Sequence, residues 1–255
     1  MDDRAQDILA RRTQDFDRSE FFRDVFQAIM PGQQVVLPMN QAWKSHRRLM
    51  ADSMSPKFLR NVAGPRLYES FVQLMNFWHQ KMCIVGDQPF DAKHDIGSAV
   101  FDAVFATALG LSPGVVARQS RAQKQMGKTS SFPRPSHVDV HDILTTVIES
   151  CEIPMKSPLG RLHHYLAVRF YPKLRNALQA KDKIFLEKVQ AAGRKFSSGN
   201  VTEDEMYGVV DLLIAKELEM ANRQGRPAIM ESYEIREELF GFFVGGKQPP
   251  GHFER

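Results

Sequence analysis

The 255 residues contain only two cysteines, Cys83 and Cys151, far apart and each among apolar or helix-forming neighbours. That excludes a disulfide framework and a cysteine-rich zinc site, and it suits a reducing compartment. Long apolar runs are also missing. The best, residues 208–215, is interrupted by Asp211 and falls well short of the roughly eighteen residues that cross a bilayer. The opening MDDRAQDILARR is charged and has no signal-peptide core. There is no glycine-rich phosphate loop, nucleophile elbow or HExxH pair, so kinase and hydrolase readings have no residues to rest on. Strand signals are scarce: Gln34–Leu37, behind the Pro31-Gly32 turn, is the one short run that predicts a strand.

Charge of one sign is not concentrated either. Lysine plus arginine number 34 against 30 acids, a net +4, and the bases are dispersed. Nucleic-acid binding needs a concentrated basic face, so no nucleic-acid partner is expected. With 43% hydrophobic and 25% charged residues the composition is that of an ordinary globular chain, long enough to bury a substantial core.

What the chain does have is helical periodicity. Leu67, Phe71, Leu74, Met75, Trp78 and Met82 fall on one helical stripe, which predicts a core-facing side. From Asp95 to Leu109 the apolar residues Ile96, Val100, Phe101, Val104, Phe105 and Leu109 surround most of a helix, the pattern of a central element; Gly110 supplies a left-handed stop and Pro113 prevents resumption. A lysine-rich amphipathic helix at the surface follows Pro172, with Leu174, Leu178, Phe185 and Val189 on one face. Thr202 and Glu205 have capping-box spacing and announce a helix through Met206, Val209, Val210, Leu213, Ile214 and Leu218, closed by Gly225 and Pro227. Ser232 caps a last helix carrying Ile235, Leu239, Phe242 and Phe243, which runs into Gly245, Gly246 and the tail KQPPGHFER. Residues 127–135, rich in Ser, Pro and Lys, read as a loop.

Three constellations could carry chemistry. Trp43 and Arg47, in AWKSHRRLM, are four apart and share a helical face, so an indole N–H and a planar guanidinium could meet one anion beside an apolar body. Taken alone, the pair is more often cation–π packing on a surface helix. His137 and His141, with Asp139 and Asp142 close by, could seed a metal site if helical, but no third ligand is evident and His163-His164 is a further arbitrary pair; solvated or packed histidines are the commoner outcome. RLHHYLAVRFYPK, residues 161–173, mixes aromatics, aliphatics and bases in the manner of a membrane-surface patch, against the alternative of an exposed connector between helices.

Taken in order, several segments resemble the cytochromes P-450 of the eukaryotic, especially fungal, type. DDRAQDILARRTQDF is similar to that family's B helix and AWKSHRRLMADSMSPKFL to its C helix. FDAKHDIGSAVFDAVFATALGL is similar to its E helix, and VVDLLIAKELEMANRQGRP followed by ESYEIREELFGFFVGG to its H helix entering the I helix. Residues 138–194 correspond to the F and G helices with their connecting loop, which cover the substrate channel.

The resemblance implies a mainly α, partial cytochrome P-450 fold: a helical bundle with little sheet, residues 1–255 forming a single incomplete domain and 247–255 a divergent tail. It implies haem as cofactor, with Trp43 and Arg47 reaching the haem propionates. It implies oxidation of a lipophilic substrate with oxygen and electrons from an NADPH-dependent reductase, and, for a full-length form, the cytoplasmic side of the endoplasmic reticulum membrane, with surface contact through 161–173. In departure from the family, Lys247, Gln248, Pro249 and Pro250 stand where an acidic residue and threonines follow the Gly pair, and neither cysteine sits in a loop resembling the haem-ligand loop. No iron ligand and no catalytic residue is assigned. The chain by itself is expected to be inactive and poorly soluble, as a truncated gene product or a truncated gene model. The alternative is a non-catalytic helical module that binds a hydrophobic ligand or partner through a face such as Leu67–Met82.

Overall fold

The computed structural model describes residues 19–86, 89–126, 140–197 and 206–246, together with Arg4 and Asp7. Apart from those two residues, which are helical, the segment similar to the B helix lies outside the described residues, as do residues 127–135, His137, Asp139, Thr202, Glu205 and the tail from Lys247. Among the described residues the structure is helical and has no strand.

Ten helices of seven residues or more frame the described residues: α1 Glu20–Phe26, α2 Gln41–Met50, α3 Gly64–Val85, α4 Lys93–Leu109, α5 Val115–Met126, α6 Val140–Glu149, α7 Arg161–Phe170, α8 Pro172–Ser197, α9 Val209–Gln224 and α10 Tyr233–Gly246. α4 and α10 are central. α10 packs against α2, α4, α8 and α9, while α4 also meets α3, α5 and α9. Where they cross, the rings of Phe101 and Phe243 meet edge to face at 5.3 Å, and Phe185 of α8 meets Phe240 at 5.5 Å. These rings are fully buried, the environment in which large side chains contribute most to stability. A smaller core of Leu74, Phe77, Ala99 and Val116 lies under α3, α4 and α5.

Local chemistry sets the helix ends. The Trp43 N–H donates to Asn40 Oδ1 at 3.1 Å, and the Ile235 N–H to Ser232 Oγ at 3.2 Å, so side-chain oxygens start α2 and α10. Gly110 (φ 83°) and Gly225 (φ 62°) stop α4 and α9 in the left-handed conformation that glycine adopts freely. Two buried carboxylate oxygens of Asp102 accept from the Val115 and Val116 N–H groups at 2.9 and 3.0 Å, tying the start of α5 to α4.

The structure corrects four expectations. Gln34–Leu37 is not a strand: the Val36 and Leu37 N–H groups both donate to Gln33 O, which winds the segment into turns. α9 starts at Val209 and not before Met206, because Gly208 is extended and packs its backbone on Gly110, where a Cβ would sit 2.6 Å from the Gly110 nitrogen. The Tyr207 N–H there donates to Asp211 Oδ2 at 2.7 Å, so the helix is capped from inside. The stripe on α3 is turned: Leu67, Phe71, Met75 and Met82 are exposed, and the buried side is Ser70, Leu74, Phe77 and Lys81. Lys81 faces inward because its ammonium meets the buried Asp95 carboxylate at 2.6 Å and lies over the Phe77 ring. Finally, residues 161–170, for which one reading is an exposed connector between helices, are themselves a helix.

Candidate haem-edge cleft

Three elements converge on an open cleft of about 430 Å³: α2, the turn at residues 31–37 and the last turns of α10. α2 contributes Trp43 and Arg47, the turn contributes Gln33, Gln34 and Val35, and α10 contributes Gly241, Val244 and Gly245; Phe26 and Met30 close the floor. The lining is mostly apolar, with the indole and the guanidinium on one wall, as the four-residue spacing places them. Trp43 is half-buried and Arg47 exposed. No carboxylate lies within ion-pairing distance of Arg47 among the described residues. The glycines keep the α10 wall bare: a Cβ on Gly245 would meet nothing, whereas one on Gly241 would collide with the Gln33 side chain.

Behind the cleft lies a polar layer that sequence reasoning missed. Glu237 and Glu238, adjacent on α10, are both buried, Glu238 completely. Oxygens of Glu238 accept from His46 Nδ1 and from the Gln34 backbone N–H, both at 2.7 Å, and from the Gln34 and Gln33 amides at 2.9 and 3.2 Å. Because a carboxylate is the acceptor, the His46 hydrogen is placed on Nδ1. Glu237 faces the other way: it accepts from the Gly32 N–H at 3.1 Å and sits 3.8 Å from Lys181, which donates to Ile29 O at 3.2 Å. Burial pushes the Glu237 carboxyl up, against the Lys181 charge and the Gly32 N–H. The Tyr233 hydroxyl beside it is also driven up, first by burial and then by the Glu237 charge. The sequence held little signal for this layer: Glu234, Arg236, Glu237 and Glu238 share the first half of α10, and which of them is buried depends on partners from distant segments.

Neither cysteine lines this cleft. Cys83 is exposed on α3, and Cys151 is buried beyond α6, where burial pushes its thiol up to about 12. Among the described residues no group of three potential metal-ligating side chains exists, and His141 instead packs against the rings of Phe101 and His94. His163 donates or accepts at Ser157 Oγ and Tyr171 Oη, while its neighbour His164 is fully buried against Ser150, so that pair does not act as a unit.

The sequence matches the cytochrome P-450 family profile over residues 2–249. The chain belongs to the cytochrome P-450 family. Its relatives include a cytochrome P-450 monooxygenase of Pestalotiopsis microspora, 29% identical over 97% of this chain and 44% of that protein. Others are the monooxygenases of Fusarium sporotrichioides, 28% identical over 94% of this chain and 44% of that protein, and of Penicillium crustosum, 24% identical over 95% and 44%. The chain therefore spans less than half the length of the curated relatives it matches. It is a segment of a mainly α P-450 fold of fungal type, and the cofactor of its family is haem. The lining is chemically compatible with one edge of that group: an apolar body would face apolar walls and bare glycine backbone, and carboxylate substituents would face an indole N–H and a guanidinium.

Proposed function

We propose that the cleft between α2 and α10 holds the propionate-bearing edge of haem in a fungal-type monooxygenase that oxidises a lipophilic organic substrate with molecular oxygen and electrons from an NADPH-dependent reductase. The observation that carries this reading is the position of Trp43 and Arg47 on one wall of an apolar cleft, with no carboxylate paired to Arg47 among the described residues. Arg47 supplies a planar, permanently charged fork and Trp43 a single N–H on a hydrophobic ring, which together orient a carboxylate and cover the apolar rim beside it. Val244, Met30 and Phe26 add apolar surface to the lining. When bound, haem supplies oxygen activation at an iron whose thiolate ligand donates the electron density that favours O–O cleavage. No residue of the chain is assigned as that ligand: Cys83 is exposed, Cys151 is buried, and neither lines the cleft.

Haem titration followed by absorbance tests the reading. Trp43→Phe and Arg47→Leu are each expected to weaken binding by about tenfold or more, the size of a lost charge-assisted or buried hydrogen bond, and Arg47→Lys restores little of it. Equal affinity in all three variants would remove the proposed role.

A second observation favours contact with a membrane surface on the cytoplasmic side of the endoplasmic reticulum. On α7 only His164 and Ala167 are buried; Leu162, Leu166 and Phe170 are exposed together with Leu159, and Arg161, Arg169 and Lys173 flank them. An apolar strip edged by bases lies in the interface between water and anionic lipid. Among the described residues no helix is long and apolar enough to cross a membrane.

A further inference from the structure

The three walls of the cleft are joined through one side chain. Glu238, on α10, takes one donor from α2 (His46), two from Gln34 and one from Gln33 of the 31–37 turn, while Trp43, Arg47, Gln33, Gln34, Gly241 and Gly245 from those same elements line the cleft. Successive residues on a helix are about 100° apart, so His46 projects roughly 60° from Trp43 on one side and about 100° from Arg47. A tether at His46 therefore fixes the rotation of α2 about its axis, and that rotation decides whether the two donors face the cleft. The bond also sets how deeply α2 sits against α10.

We propose that Glu238 is the positioning residue of the haem-edge donors, acting through His46 on the orientation of Trp43 and Arg47 and through Gln33 and Gln34 on the opposite wall. Its functional meaning rests on the haem-edge reading of the cleft, while its geometry does not. A fully buried acid with four donors is a costly way to obtain packing alone, because apolar side chains of similar volume stabilise a core at least as well; what such a group adds is a single arrangement of the elements it bonds. Glu237 provides an internal comparison. It is also buried on α10 and also bonds the 31–37 turn, at Gly32, but its other partners are Lys181 and Tyr233, and none of these is on α2.

The chain has two tryptophans, so Trp78→Phe leaves Trp43 as the sole indole. In that background, iodide quenching of Trp43 emission and hydrogen exchange of residues 41–50 report the orientation and docking of α2 without haem. Glu238→Leu and His46→Leu are expected to raise the quenching constant at least about twofold and to speed exchange, as local release of one helix does. His46→Asn, whose amide nitrogen stands near the place of Nδ1, restores both. Glu237→Gln lowers the melting temperature but leaves Trp43 quenching unchanged. With haem, the two leucine variants lose about tenfold in affinity, the effect of removing an outer-layer support from a bound centre.

Unchanged quenching and exchange in Glu238→Leu and His46→Leu would overturn the proposal, and so would an equal change in Glu237→Gln. If Glu238→Leu fails to fold, the contrast between His46→Leu and His46→Asn decides. If haem does not bind even the parent chain, the haem-edge reading fails, while the iodide and exchange results still decide the positioning role.

Discussion

His164 is fully buried, and burial disfavours its charged form. Ser150 Oγ donates to Val147 O at 2.6 Å, so it accepts from His164 Nε2–H, 3.0 Å away. Burial lowers its pKa from 6.5 to about 4, with the charge of His163 adding and the Val25 backbone opposing. A histidine whose folded pKa is depressed binds its proton more tightly when unfolded, so stability is intact above 6.5 and is lost as pH falls toward 4. The loss across that window is about 3 kcal/mol. Thermal unfolding from pH 7 to 4 is expected to show this acid limb and to lose most of it in His164→Gln. The residues of the cleft were unevenly legible. Trp43 and Arg47 announced a shared face by their spacing. Glu238 and His46 did not, because a charged residue on a helix is ordinarily solvated, and only the tertiary arrangement supplies the donors that let this one be buried.

At the scale of the helix, the central element α4 was readable because apolar residues on all sides leave no alternative to burial, although Ile96 is exposed. α3 was readable as a helix but not as to which side faces in. Two candidate stripes coexist on it, and the choice falls to an ion pair between residues fourteen positions apart, Lys81 and Asp95, which periodicity does not weigh. Trp78 Nε1–H also donates to Asp95, at 3.0 Å. Lys81→Met leaves the acid buried with that single donor and is expected to cost about 3–5 kcal/mol in urea unfolding, whereas Lys81→Met with Asp95→Leu recovers most of it. A single variant within about 1 kcal/mol of the parent would mean that the pair does not set the facing of α3. The start of α9 was misread for a related reason: a capping-box pattern is local, whereas the contact of Gly208 with Gly110 joins segments on two different helices.

Among the described residues, exposed large apolar side chains gather on α7 and on α3. If α7 meets lipid, the chain sediments with vesicles containing phosphatidylserine, less so at high salt, and the double variant Leu162→Glu/Phe170→Glu stays in solution. Binding that persists in that variant would assign the contact to another surface, such as the Leu67–Met82 side of α3.

The bonds at Glu238 also have a schedule. His46 and Glu238 are 192 positions apart and Gln34 and Glu238 are 204 apart. At a synthesis rate of about 5–20 residues per second, roughly 10–40 s pass between the making of the donors and the making of their acceptor. The two elements that carry the cleft's polar wall are therefore made well before the acceptor that tethers them, and during that interval a chaperone or a protease meets residues 33–50 without the bonds to Glu238.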